Sequence, residues 1–486
     1  MNKQLLSLAL VFIAIADASA FCGFYVAKAD AKLFNKTSEV IMVRNGEHST
    51  ITMSSDFQGE VKDFAMVVPV PVVLKKEQVR VIESDLIRKL DDYSGPRLVS
   101  YNDADPCYVP PQPTYSYGDM TTMACLTATG STLYSYNSVA QTVKIEARYA
   151  VGEYDILILS ATESSGLETW LIANGYKIPE GAKEVLEPYV KSNMKFFVVK
   201  ANTDELKRMN TTKLRPIQID FDSKKFMLPI RLGMANAKEA QDMIVYCFSK
   251  VGRTEVTNYR TVEMPTGQDV PLFVKDEFGT FYKDLYYKTY AKEGKNAVQL
   301  EYAWDISSTV TMFCDPCVGD PPMLQDLMNA GVNWVEQYHG GYQGTIYFTR
   351  LHVTYDRAHF PQDLQFIETP NQENYQARYV LHYPAVSNFE CEKANAYLVD
   401  LQKRRLKELD NYAVLTGQDA TLHSGYASEY NRYIRKNTGT TGKKTGSLLL
   451  TGVTDGKEIL ITFLSVLSIT LMLFALSRKN KPKNSA

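Results

Sequence analysis

Residues 40–53 read VIMVRNGEHSTITM, and this stretch decides the fold class. Residues 40–43 and 49–53 are rich in apolar and β-branched side chains. Asn45-Gly46 lies between them, and both residue types tolerate positive φ, so a β-hairpin turning at Asn45-Gly46 is predicted. Working outward, residues 64–73 (FAMVVPVPVV) read as another strand. Pro69 and Pro71 supply no ladder donor, so this strand should end there or lie at a sheet edge. Apolar runs at 156–159, 195–200, 226–232, 243–248, 298–304, 344–350 and 351–355 read as further strands.

Helices fall between these strands. Ser84 should cap one that runs to Tyr93 and stops at Gly95-Pro96. Others are expected over 166–174, with Ser165 as cap, and from Pro179 to about Val190. Asp276 should cap a helix with Phe278, Phe281, Tyr282 and Leu285 on one face. The clearest helical period is 392–415, where Leu398, Leu401, Leu409 and Ala413 form one stripe and Gly417 is the stop. The whole reads as an α+β fold of mixed strands and short helices, without an internal repeat. A chain of 486 residues can bury one large core or two ordinary ones.

Both ends carry addresses. Lys3, an apolar run over 5–16 and Ala18-Ser19-Ala20 form a signal-peptide pattern over residues 1–20, with Phe21 as the mature start. Near the other end, 459–477 (ILITFLSVLSITLMLFALS) is uncharged and close to the length of a spanning helix. Arg478, Lys479, Lys481 and Lys483 follow, which marks the cytoplasmic side. The expected order is a signal peptide, an ectodomain over 21–417, a flexible stalk over 418–458, one transmembrane helix and a short tail over 478–486. The ectodomain, possible as two subdomains, carries an irregular insertion near 101–142. The expected location is a cell envelope, with the ectodomain periplasmic or extracellular.

Formal net charge is -2, with 53 basic and 55 acidic residues, and no long basic run lies in the body. Nucleic acid is therefore not an expected partner. The expected partners are the membrane, through the C-terminal helix, and an envelope protein or glycan. Tyrosines over 108–136 offer a surface for such a partner, or simply belong to a loop tied by a disulfide. Export places seven cysteines in a disulfide-permissive compartment. Cys107 and Cys125 lie within the insertion and are its expected staple.

Cys314-Asp315-Pro316-Cys317 is the sharpest local motif. It reads first as structural disulfide cysteines. Thiol-disulfide exchange is the second reading, and a metal pair the third. Val318-Gly319-Asp320-Pro321-Pro322 follows, so the helix that usually lowers a thiol pKa begins only near residues 322–323. In a strand, His352 and Thr354 share a face with Asp356, and His359 is near. That constellation could serve acid–base or metal chemistry, or be a solvated strand face. H-E-x-x-H, G-x-S-x-G and the dinucleotide glycine fingerprint are absent. No catalytic residue, metal or cofactor is assigned.

Several blocks together resemble a known family. They are CGFYVAKADAKLFNKTSEV from Cys22, FAMVVPVPVVL from Phe64 and VGEYDILILSATESSGLETWLIANGYKIPEGA from Val151. KFMLPIRLGMAN from Lys225, CDPC at Cys314 and FTRLHVTYD from Phe348 continue the series. The chain resembles the bacterial domain of unknown function 2330 family over nearly the whole ectodomain. The resemblance implies a bacterial envelope protein and no particular reaction. The reading that follows is a membrane-tethered binding or scaffold module, more a binder than an enzyme. An envelope thiol-disulfide oxidoreductase using Cys314 and Cys317 is the first alternative, and a metal-dependent hydrolase the second.

Overall fold

The hairpin over 40–53 forms, and it lies inside a large mixed sheet. Phe34–Asn45 pairs antiparallel with His48–Gln58, with Val43 opposite Thr50. The two turn residues are Gly46 and Glu47, one position later than expected, and Gly46 has φ 63°. A positive φ at the first turn position suits glycine, which has no Cβ to clash.

The computed structural model describes residues 24–25, 34–58, 65–108, 143–174, 176, 181–209, 214–236, 240–307, 319–431 and 433. The expected signal peptide, most of the insertion including Cys125, the CDPC motif, most of the stalk and the 459–477 span lie outside these residues. Among the described residues, no helix is long and apolar enough to cross a membrane. One compact unit runs to Tyr430, and of the second, 431–486, only Asn431 and Tyr433 are described.

The large sheet has nine strands. Its main path runs Arg260–Glu263, Ala297–Asp305, Tyr347–Tyr355, Gln241–Ser249, Phe34–Asn45, His48–Gln58, Ile217–Asp222 and Val79–Val81, and Tyr375–Gln376 adds to Ala297–Asp305. Gln241–Ser249 lies parallel to Phe34–Asn45, while most other neighbours are antiparallel, so the sheet is mixed as expected. A five-stranded sheet built on Ala65–Val70, Lys195–Ala201 and Tyr154–Ala161 packs on one of its faces. Alternate residues fill that interface: Val40, Met42, Val245, Leu351 and Val353 meet Met66, Val68, Ile156, Phe197 and Val199. Each such side chain contributes roughly 1.5–3 kcal/mol on burial.

Helices cover both outer faces. Helices α1 (Asp85–Ser94), α2 (Ser164–Ala173), α3 (Ala182–Lys191), α4 (Thr203–Arg208), α5 (Arg231–Asn236), α6 (Phe278–Lys292), α7 (Leu324–Ala330) and α8 (Glu392–Thr416) are the main ones. Leu167, Leu171, Leu186 and Tyr189 of α2 and α3 pack on the five-stranded sheet. Leu86, Ile87, Leu90 and Tyr93 of α1, with Leu327 of α7, pack on the second face of the large sheet through Ile41, Ile244, Tyr246 and Phe348. Helix α6 covers the rest of that face, and its Phe281 and Leu285 share a core with Tyr412 and Leu415 of α8.

Five expectations need correction. The cap position of α2 is Glu163 and not Ser165, because the helix already starts at Ser164. The strand expected over 226–232 is only Met227–Leu228, and α5 starts at Arg231. Asp363, far along the chain, accepts hydrogen bonds from the Ile230 and Arg231 amides at 3.0 and 3.2 Å, so a distant carboxylate serves the helix start. The cap position of α6 is Glu277, because Asp276 closes the preceding 3-10 turn. Residues 344–355 do not hold two strands: one continuous strand, Tyr347–Tyr355, runs there.

The fifth correction concerns the disulfide. Cys107 is bonded to Cys391, at the N-cap of α8, and not to Cys125. The cysteines are separated by 284 residues, so the bridge ties the segment after Arg97–Asn102 to the last long helix. On the chain-entropy model a loop of that length stabilises by roughly 5 kcal/mol. The same two segments are also joined ionically: Arg404 donates to both Asp103 carboxylate oxygens at 3.0 and 2.6 Å, and the Tyr397 hydroxyl donates at 2.6 Å.

Candidate functional site

A break in strand register builds the most charged buried cluster described in the molecule. Along Ala297–Asp305 and Tyr347–Tyr355, Gln299 faces His352 and Leu300 faces Leu351, but Tyr302 then faces Arg350. Glu301 is the extra residue of a β-bulge, a device that re-aims a side chain. Its carboxylate is 1% exposed and meets Arg350 and His352 from the neighbouring strand.

Each Glu301 oxygen has a strong partner. Oε2 accepts from Arg350 Nε at 2.6 Å. Oε1 accepts from the Tyr282 hydroxyl at 2.6 Å and lies 2.8 Å from His352 Nδ1. Arg350 Nη1 continues to Asp91 Oδ1 of α1 at 2.6 Å, and its guanidinium sits 5.4 Å from the Tyr246 ring centre. On the other side, His352 Nε2 faces Asp242 Oδ1 at 3.8 Å. Asp242 accepts from the Thr354 hydroxyl and, at 3.0 Å, from the Tyr287 hydroxyl. Tyr286 of α6 stacks on the His352 ring with centroids 3.9 Å apart, and its hydroxyl meets Thr354 at 2.8 Å.

The row is thus sealed at its middle, at Glu301 and Arg350, and wetter at both ends, where the Asp91 side chain is 47% exposed and that of Asp242 26%. Charge follows from this packing. Burial alone would lower the His352 pKa, but the Glu301 and Asp242 carboxylates outweigh it and hold the group up at about 9. Burial would raise Glu301, but His352 and Arg350 outweigh it and hold the carboxyl down at about 2. Burial pushes the Tyr282 and Tyr286 hydroxyls well above their ordinary range, so both remain neutral.

His352 is therefore an imidazolium between two carboxylates at neutral pH. Both ring nitrogens face acceptors, and no free lone pair is available to take a proton. The arrangement can fix α6 and α1 on the sheet, but it does not present a general base.

The sequence placed His352, Asp356 and His359 together, and the structure divides them. Asp356 follows the end of the strand and closes a local turn: it accepts from the Ala358 and His359 amides at 2.8 and 2.9 Å and pairs with His359 Nδ1 at 2.7 Å. Burial works against its ionisation, but these His359 and Ala358 contacts hold its pKa below the usual value. His352 instead takes Glu301 and Asp242. Among the described residues, no three His, Cys, Asp or Glu side chains are placed to hold a metal ion. Cys247 is a free thiol buried between the sheets, and burial pushes its pKa up, away from reactivity. Cys314 and Cys317 lie outside the described residues.

Sequence reasoning missed Glu301, Arg350, Asp242 and Asp91. One signal was available: Arg350 and His352 are two apart in a β-branched run, so they share a face that should then carry counter-charges. The bulge that delivers Glu301 has no local sequence mark.

No curated protein and no solved structure matches the chain. The model of a family described as uncharacterized protein conserved in bacteria, DUF2330, matches residues 16–367, which include the bulge and both strands of the cluster, and the chain belongs to that family.

Proposed function

We propose that this chain is a membrane-tethered cell-envelope protein whose folded body binds or scaffolds a partner, an envelope protein or a glycan, and does not turn over a substrate. The Cys107–Cys391 bridge carries the reading. It joins segments 284 residues apart and fastens the last long helix, which suits a protein that matures in an oxidising compartment. The signal-like N-terminus and the apolar 459–477 segment with its basic flank support the same topology. The locked state of His352 supports binding over catalysis, because the most charged cluster is consumed by its own pairing.

The test is thiol trapping and protease accessibility of the full chain in bacterial cells with a permeabilised outer surface. Rapid alkylation should find Cys107 and Cys391 oxidised, and added protease should digest the body while sparing a tag placed after Ala486. Finding both thiols reduced, with the body protected and the tag digested, would overturn the reading.

A further inference from the structure

Helix α8 uses one face on the body and leaves the other bare. Leu398, Leu401, Leu409 and Tyr412 are buried, and Tyr412 joins the core under α6. On the opposite side Ala396, Val399, Lys403, Leu406, Asp410 and Val414 are exposed. They follow one another at steps of three or four residues, so they form one stripe along the helix.

Apolar exposure is concentrated here. The three most exposed large hydrophobic side chains among the described residues are Val386, Leu422 and Val414, at 97%, 80% and 64%. Val386 precedes α8, Leu422 follows it and Val414 lies in its last turn. Single exposed apolar side chains are ordinary, but a row of them along one helix marks a contact surface.

The order of the stripe says what covers it. About the midpoint between Leu406 and Lys407, Val399 mirrors Val414, Lys403 mirrors Asp410 and Ala396 mirrors Gly417. A second α8 laid antiparallel on the first therefore sets Val399 against Val414 and Lys403 against Asp410, each twice, with the two Leu406 side chains meeting at the two-fold axis. A parallel pair would oppose lysine to lysine and aspartate to aspartate, so charge selects the antiparallel arrangement. Within one chain, Lys403 meets Asp400 at 3.0 Å, but both side chains are exposed and such a pair is readily exchanged.

We propose that α8 is a self-association surface, through which two copies of this chain pair antiparallel over residues 396–417. The contact goes beyond the binding role proposed above and does not depend on where the protein resides. A 25-residue helix is roughly 37 Å long, so the interface is small and the dimer weak, half-formed on the order of 10 µM.

Sedimentation velocity of the full chain in detergent, from about 1 to 100 µM, tests it. A monomer–dimer equilibrium is expected. Leu406→Glu should weaken it at least about tenfold, because two carboxylates then meet at the axis. Lys403→Glu should weaken it by about tenfold, and adding Asp410→Lys should restore it to within about threefold of the parent chain. These three positions are exposed, so urea melts should match the parent and separate a lost contact from a lost fold. A monomer throughout the range would assign the stripe to a different partner and overturn the proposal. A dimer indifferent to Leu406→Glu, or a double variant as weak as Lys403→Glu alone, would overturn it as well.

Discussion

The two faces of the nine-stranded sheet solve the same packing problem with opposite chemistry. One face is dry: Val245, Leu351 and Val353 meet Ile156, Phe197 and Val199 of the second sheet, and only apolar contact is required. The other is apolar under α1 and α7 but also carries Arg350 and His352, from the same strand as Leu351 and Val353, and these meet the helices through carboxylates and tyrosines. Strand alternation alone puts neighbouring residues into these two environments. The comparison teaches that the dry face supplies stability, whereas the charged face specifies which helix sits where, since an ion pair tolerates few alternative partners. Buried pairs of this kind add little net stability over apolar residues, yet removal of one member is costly.

The largest effect tests that asymmetry. Arg350→Met should destabilise by about 3–5 kcal/mol in urea melts, because the Glu301 carboxylate loses one of its two cations in a sealed site. The double variant Arg350→Met, Glu301→Leu should recover part of that, since the sealed carboxylate is removed with its cation and His352 keeps Asp242. A loss under about 1 kcal/mol in the single variant would mean that the charged face relaxes like a surface, and the contrast with the dry face would fail.

A second test uses pH. His352 has its pKa raised from 6.5 to about 9, so its contribution is complete below 6.5 and is lost as pH rises through 9. Glu301 has its pKa lowered from 4.5 to about 2, so its contribution is complete above 4.5 and is lost as pH falls through 2. Together they contribute most between pH 4.5 and 6.5. Between pH 6.5 and 9 stability should fall by on the order of 2 kcal/mol, and His352→Gln should flatten that slope. Leu351→Ala, on the dry face, should lower the whole curve by about 3 kcal/mol without changing its slope. An unchanged slope in His352→Gln would place the titrating group elsewhere.

The same division explains what the sequence could tell. The hairpin at residues 40–53, the strands over 195–200, 243–248 and 298–304 and helix α8 were legible because apolar period and local turn chemistry decide them. Gly417, with φ 80°, stops α8 where a glycine was read as the stop. What was not legible depends on distant chain. Asp363 caps α5 from more than a hundred residues away, Cys391 takes Cys107 across 284 residues, and Glu301 reaches His352 through a bulge. His352 lies in the strand, but Asp356 was grouped with it by an alternation that stops at Tyr355. Period-2 reasoning gives the face of a side chain and not its partner on the next strand.

The smallest expected effect probes the Asp242 end of the charged row. The Tyr287 hydroxyl donates to Asp242 Oδ2 at 3.0 Å from a 40% exposed position. Water can replace that donor, so Tyr287→Phe should cost about 0.5 kcal/mol or less. It should still register at Asp242. Burial raises that carboxyl, and His352, Thr354 and Tyr287 together bring it below its usual range, so loss of one donor should move its titration upward. Carbon-detected NMR of the Asp242 carboxyl would follow this shift directly. A destabilisation above about 2 kcal/mol would show that the Asp242 end is as dry as the Glu301 end. The row would then be sealed from Glu301 to Asp242, and the partial exposure of Asp242 would carry no functional weight.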